Sequence, residues 1–589
     1  MIQLLWQGNQ IATMEQELLE HLRFLYGEAK GVAVYPRLEA LIARYRQETG
    51  DITATPAGYF DERDAVLITY GDMVQEVGEA PLSTLANVLE QNAGGLINTV
   101  HLLPFYPYSS DDGFSVIDYR MVDANLGDWE DVARIGRSFR LMFDAVVNHI
   151  SAESEWFKGF LRNETPFRDY FTVVEPGTDL TKVFRPRTLP LITKVKTVSG
   201  ERLVWTTFSA DQIDLNYGSP ELLLDVIDTM LFYVAHGAKF IRLDAIAFIW
   251  KEIGTDCIHR PETHRIIQLM RLVLNEVDPA VVLITETNVP HGDNISYFGN
   301  GHNEAQMVYN FSLPPLTLHA FHSGSAEILS QWASSLRQPS TETTFFNFLA
   351  SHDGIGLAPA RGLLSSDELA GIAERVEALG GHVSYRTNPD GSKSAYELNI
   401  NYLEALGDPT QDEENVDVIA RRFICSQAIM LALRGVPGIY FHSLFGSKNW
   451  HEGVQQTGRN RSINREKLQG ASLERELADE GSLRQRVFKA YSRLLEVRRD
   501  EPAFHPNGSQ TVLALHPSIF AIRRSTVDGE SSVLCLHNVS CHNIQLFIPR
   551  SELHARHITE LLARSEHPCS AGLPLDLRPY QVLWLKEEQ

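Results

Sequence analysis

From Val66 onward the chain alternates short, almost uniformly apolar runs with amphipathic stretches. The runs are VLITY (66–70), INTVHLLP (97–104), LMFDAVVNH (141–149), KFIRLDAI (239–246), VVLITET (281–287), MVYNF (307–311), TTFFNFLASHD (343–353) and VPGIYF (436–441). Strands apolar on both faces belong to a covered sheet, and strands that alternate with helices run parallel. Eight of them predict an α/β fold of the (β/α)8 TIM-barrel type. Two connections exceed a simple loop: 150–215 after the third strand and 354–417, with its turn-rich TNPDGSKS, after the seventh. Long loops at the C-terminal face of a barrel build its active site.

Ahead of the barrel, MEQELLEHLRFLY places Leu18, Leu19, Leu22 and Leu25 on one helical face. YPRLEALIARYR repeats the habit, with Pro36 suited to a helix start. Residues 1–60 therefore read as a peripheral helical hairpin and 61–505 as the barrel with its two insertions. From 506 to 589, runs such as TVLALHP, IFAIRRS and SSVLCLHNV separated by turns predict a small all-β C-terminal domain.

The polar residues inside these strands carry the chemistry. His101 lies on strand two. Asp144, Asn148 and His149 end strand three, Arg242 and Asp244 strand four, Glu286 strand five, and His352 and Asp353 strand seven. Singly, each has an ordinary explanation, a helix cap or a satisfied core histidine. Jointly they do not, because a buried carboxylate costs several kcal/mol unless it is paired or functional. Retaining glycosyl transfer uses one carboxylate as nucleophile and one protonated carboxyl as acid/base across a sugar ring. A third can grip sugar hydroxyls and raise the acid's pKa.

Composition narrows the partners. With 43% hydrophobic and 22% charged residues the chain is an ordinary globular protein. A net charge of −23 without a basic stripe excludes nucleic acid and anionic lipid, so an anionic substrate needs a local cationic cluster. Five scattered cysteines without metal-ligand spacing read as reduced thiols in the cytoplasm. No signal-peptide pattern and no membrane span is predicted. Apolar faces on the first helices and the C-terminal domain fit core packing and self-association equally, so oligomeric state stays open.

The segments DAVVNH, IRLDAI, ITETN and LASHD together resemble the signature segments of the α-amylase clan of glycoside hydrolases. Within it, VHLLPFYPYSSDDGFSVIDY, FRPRTLP, VWTTFSADQIDLNY and GRNRSINR resemble sucrose phosphorylase and its relatives. The resemblance implies retaining phosphorolysis of an α-glucoside to α-glucose 1-phosphate, with small-molecule partners, no metal and no organic cofactor. It assigns Asp244 as nucleophile, Glu286 as acid/base and Asp353 as transition-state stabiliser. Arg242, on the same strand face as Asp244, is expected to keep it ionised. His352, His149, Asp111, Phe114 and Arg461 correspond to the glucose pocket, and Phe208 and Gln212 to contacts of the glucosyl intermediate. Arg185, Arg187 and Tyr396 correspond to the phosphate and acceptor side.

On that side the chain has Tyr396-Glu397 where sucrose phosphorylase has Tyr-Gln. That change, NPDGSKSAYELNINY and the N-terminal hairpin resemble the glucosylglycerate phosphorylase branch. Glu397 is expected to take hydroxyls of a glycerol-like group, and Lys393 or Arg187 a glycerate carboxylate. The acceptor expected is glycerate, with glycerol, then fructose, as alternatives. An α-glucan hydrolase or transglycosylase, lacking the RPR and Tyr396 cluster, is the alternative outside the phosphorylases.

Overall fold

The computed structural model describes residues 13–50, 52, 58–187, 189–387, 393–410, 415–554, 557–569 and 571–588. All eight expected runs form strands: β1 (Val66–Thr69), β2 (Thr99–Leu102), β3 (Arg140–Ala145), β4 (Ala238–Leu243), β5 (Val282–Thr285), β6 (Met307–Tyr309), β7 (Thr344–Phe348) and β8 (Val436–Tyr440). Each pairs in parallel with its sequence neighbours, and β1 closes the barrel on β8 with Val66 opposite Gly438. Side chains of β1, β2, β5, β6, β7 and β8 are buried throughout, as parallel strands covered on both faces require.

The strands are shorter than their apolar runs. β4 ends at Leu243 and β5 at Thr285, one residue before Asp244 and Glu286. Asp353 lies five positions past the end of β7, in a loop rather than at a strand end. All three carboxylates thus emerge at the C-terminal face, where the backbone is free to aim them inward.

The long connection after β3 folds into small antiparallel sheets. One of them pairs His149–Ser151 with Gln212–Asp214, setting Ser151 opposite Gln212. After β7, a hairpin of His382–Thr387 and Lys393–Asn399 stands over the barrel mouth. Residues 388–392 of the expected turn-rich stretch lie outside the described residues, as do 1–12 of the N-terminal extension.

Helix α1 (Met14–Thr49) is the expected hairpin, with a different break point. Its turn is at Gly27 (φ 77°, ψ 168°), and Pro36 lies within the second arm instead of starting it. A Cβ on Gly31 would come within 2.8 Å of the Leu22 carbonyl, so glycine lets the two arms touch. The buried side of α1, from Leu18 and Leu22 to Leu38 and Ile42, covers α2 (Pro220–Ala235) and α3 (Pro261–Val277). Tyr45 Oη donates to Asp228 of α2 at 2.8 Å, and Arg46 reaches Glu276 of α3 at 3.2 Å.

Beyond residue 506 a six-stranded antiparallel sheet packs with a two-stranded one. Its strand Ile519–Ser525 shows period-2 sorting with both faces covered. Ile519 and Ala521 enter the small C-terminal core, while Phe520 and Ile522 pack toward the barrel.

Candidate active site

The charges at the barrel mouth are organised around two arginines. Arg242, on β4, is buried beneath the pocket. Its Nη1 donates to Asp144 of β3 and to Asp244 Oδ1, the latter at 2.9 Å, and its Nη2 lies 3.8 Å from Glu286 Oε2. His101 Nε2 meets the other Asp144 oxygen at 2.6 Å. The chain His101–Asp144–Arg242–Asp244 thus crosses three adjacent strands, each link buried. Arg242 and His101 override the burial that opposes a charge on Asp144 and hold its carboxyl down at about 2.

The expectation that Arg242 keeps Asp244 ionised needs its neighbours. Burial, then Glu286, Asp144 and Asp353, push the Asp244 carboxyl well up against the pull of Arg242, and burial likewise raises Glu286. Both carboxyls are thus raised around one guanidinium. Arg242 favours the charge on Asp244 through the direct 2.9 Å bond, whereas Glu286 lies further from it, at 3.8 Å. Glu286 accepts instead from the amide of Ala245, 3.2 Å away. Ala245 holds φ at 48°, a region unfavourable for a side-chain-bearing residue, at the position that follows Asp244.

The second organiser is Arg461. Its Nη1 lies 2.5 Å from Asp353 Oδ1, and its Nε and Nη2 clasp Glu397 at 3.0 and 2.7 Å. Burial opposes ionisation of Asp353, but Arg461, with His352, Arg465 and Arg242, overrides it and holds the carboxyl far below its usual range. Arg465 was not singled out from the sequence. It donates Nε to the His352 carbonyl at 2.8 Å and pairs with Asp112. Its spacing, four residues after Arg461 in RSINR, is the signal that could have found it.

Aromatic and neutral groups complete the pocket. Phe114 stacks on His352 with ring centres 4.8 Å apart and planes 4° from parallel. Burial lowers the His352 pKa to about 3 and lowers that of His149 as well, so both rings are neutral at pH 7. His149 Nε2 contacts the Phe114 carbonyl at 2.9 Å, which fixes that nitrogen as the donor. Gln212 Nε2 reaches Asp111 at 3.2 Å. The loop bearing Phe208 and Gln212 is tied by buried Asp214, which accepts from the Thr207 amide and from Lys251, each at 2.7 Å. Phe208 lies against Phe248, another aromatic lining residue that sequence reasoning missed.

The structure brings most of the expected set into one pocket. The three carboxylates, His149, His352, Asp111, Phe114, Phe208, Gln212 and Arg461 line it, together with Arg187, Tyr396 and Glu397. Arg187 lies over the Phe208 ring at 5.5 Å and 3.7 Å from Asp111. Two acceptor-side expectations change, and a third residue gains a protein partner. Arg185 turns its guanidinium back onto the Leu189 carbonyl and does not line the pocket. Lys393 is exposed at the start of its strand, also away from the lining. Glu397 lines the pocket but is buried and holds Arg461 with both oxygens, a partner the sequence did not reveal.

A closed parallel barrel with three carboxylates just beyond its fourth, fifth and seventh strands defines a glycoside-processing enzyme of the α-amylase class. Residues 95–358 match the α-amylase catalytic domain. The fold is similar to that of sucrose 6F-phosphate phosphorylase from Thermoanaerobacter thermosaccharolyticum, with TM-score 0.71 and 22% identity over 86% of this chain and 98% of that one. Glucosylglycerate phosphorylase of Allomeiothermus silvanus is 50% identical over 90% of this chain and 93% of its own length. That of Escherichia coli is 46% identical over 97% of this chain and 100% of its own. The chain belongs to the glucosylglycerate phosphorylase family.

Proposed function

We propose that the protein transfers glucose from 2-O-α-glucosylglycerate to phosphate, giving α-glucose 1-phosphate and glycerate with retention at the anomeric carbon. The observation that carries this reading is the single guanidinium of Arg242, bonded to Asp244 and 3.8 Å from Glu286. It makes one of two neighbouring carboxyls a nucleophile and leaves the other a proton donor.

In the first step an Asp244 oxygen bonds to the anomeric carbon as the bond to the glycerate oxygen breaks. Glu286 delivers its proton to that oxygen. In the second, a phosphate oxygen attacks the same carbon, the Asp244 ester breaks and Glu286 recovers a proton from phosphate. Two inversions give retention. Asp353, kept anionic by Arg461, braces sugar hydroxyls and the positive charge that develops on the ring. Phe114, stacked on the neutral His352 ring, covers the apolar face of the same sugar. Phosphate wins over water because Arg187, poised on Phe208, offers the anion a cation in an otherwise acidic protein.

A cytoplasmic setting is supported by cysteines that form no disulfide among the described residues, four of the five being buried. Among the described residues no helix is long and apolar enough to cross a membrane. The test is glucose 1-phosphate formation from glucosylglycerate, glucosylglycerol and sucrose, each with and without phosphate. Strictly phosphate-dependent release, fastest from glucosylglycerate, is expected. Faster release from sucrose, or equal turnover in water, would overturn the reading.

A further inference from the structure

Above the carboxylates the pocket opens into an outer chamber whose wall includes five arginines: Arg187, Arg386, Arg459, Arg461 and Arg465. Four have carboxylate partners. Arg187 lies 3.7 Å from Asp111, Arg459 lies 3.3 Å from Asp112, Arg461 clasps Glu397, and Arg465 pairs with Asp112. Arg386 has none among the described residues. Its side-chain bond runs from Nε to Ser394 Oγ at 3.2 Å, which leaves both terminal nitrogens open to a ligand. In a chain of 75 acidic and 52 basic residues, an arginine without a counterion on a pocket wall is an exception.

The hairpin aims this side chain. Arg386 stands directly opposite Ser394, and cross-strand partners share a face. Tyr396, two residues beyond Ser394 on the same strand, lines the outer chamber together with Arg386. The ladder pairs Ser384 with Glu397 and Tyr385 with Ala395, skipping Tyr396, and this bulge lets Tyr396 and Glu397 both reach the inner pocket. Arg386 therefore shares a wall with Tyr396, one step further out. Arg361 adds a second positive charge beside it. Burial and then the neighbouring Arg386 lower the pKa of Arg361. Two like charges brought together, neither paired with a carboxylate among the described residues, favour a ligand anion.

Two anions use this entrance in turn, and position separates them. Phosphate must reach the anomeric carbon, so it occupies the inner pocket beside Arg187 and Tyr396. Arg386 lines only the outer chamber. We infer that Arg386 sets acceptor specificity, its guanidinium holding the carboxylate of a hydroxy-acid acceptor whose hydroxyl faces the reacting carbon. This rests on the phosphorylase reading above and adds to it the residue that selects an acid over a neutral polyol.

The experiment compares the parent with Arg386→Gln and Arg386→Lys in the synthetic direction, from glucose 1-phosphate with glycerate, glycerol or water as acceptor. Arg386→Gln is expected to raise KM for glycerate about tenfold or more, the scale of one lost charge-assisted hydrogen bond, with glycerol affected far less. Arg386→Lys should recover part of the loss, and unchanged thermal midpoints will show that the hairpin persists. Equal losses with glycerate and glycerol, or an effect confined to KM for phosphate in phosphorolysis, would overturn the inference. A parent that cannot transfer to glycerate at all sinks the phosphorylase reading with it. A parent that can, beside an indifferent Arg386→Gln, sinks the inference alone.

Discussion

The Glu397 carboxylate grips Arg461 through two parallel bonds, Nε to Oε1 at 3.0 Å and Nη2 to Oε2 at 2.7 Å. Bidentate geometry of this kind fixes the plane of a guanidinium. The third nitrogen, Nη1, is thereby directed at Asp353, 2.5 Å away. A residue expected from the sequence at the acceptor site thus braces Asp353 through Arg461.

Glu397→Gln should therefore lower kcat about tenfold, the cost of one charged bidentate pair, for every acceptor alike. Steady-state kinetics with glycerate and glycerol as acceptors check this. A change confined to one acceptor would return Glu397 to the acceptor site.

Asp244→Asn should reduce turnover by at least about 10³-fold while the barrel remains folded. The fold survives because Arg242 keeps its bond to Asp144, so no charge is left uncompensated. Circular dichroism with product analysis of the purified variant decides it; near-parental turnover would remove Asp244 as nucleophile.

Arg187→Ala should raise KM for phosphate about tenfold and KM for the glucoside much less. Arg187 is held at Asp111 and Phe208, so its removal costs the anion more than the sugar. The reverse ranking would move Arg187 out of the phosphate site.

Asp144 makes stability depend on pH. Its folded pKa of about 2 is below the unfolded value of 3.8, so its contribution is complete above the unfolded value. It fades as pH falls from there toward the folded value. The contribution is about 2 kcal/mol by linkage. Asp144→Asn should thus be less stable than the parent by a constant margin above about pH 4, with the gap narrowing below it. Urea unfolding of both forms across this range measures the gap. A margin that does not narrow in acid would show that Asp144 gains no charge-dependent stability from Arg242 and His101.

The sequence by itself determined the barrel, because eight apolar runs separated by helices have few ways to be buried other than a closed parallel sheet. It also singled out Asp244, Glu286 and Asp353 as candidates, since carboxylates near apolar runs are costly unless paired or functional, and the family resemblance suggested their roles. It left undecided what each charged group binds. The Arg461–Glu397 clasp joins residues 64 positions apart, and the Arg465–Asp112 pair joins residues 353 apart. Only the tertiary structure shows which arginines pair with a carboxylate among the described residues and which, like Arg386, do not. The same holds for Arg185 and Lys393, whose sequence context suits an anion site but whose backbones turn them elsewhere. Burial propensity is written into local pattern, whereas charge pairing at a loop-built mouth depends on distances that no local pattern encodes.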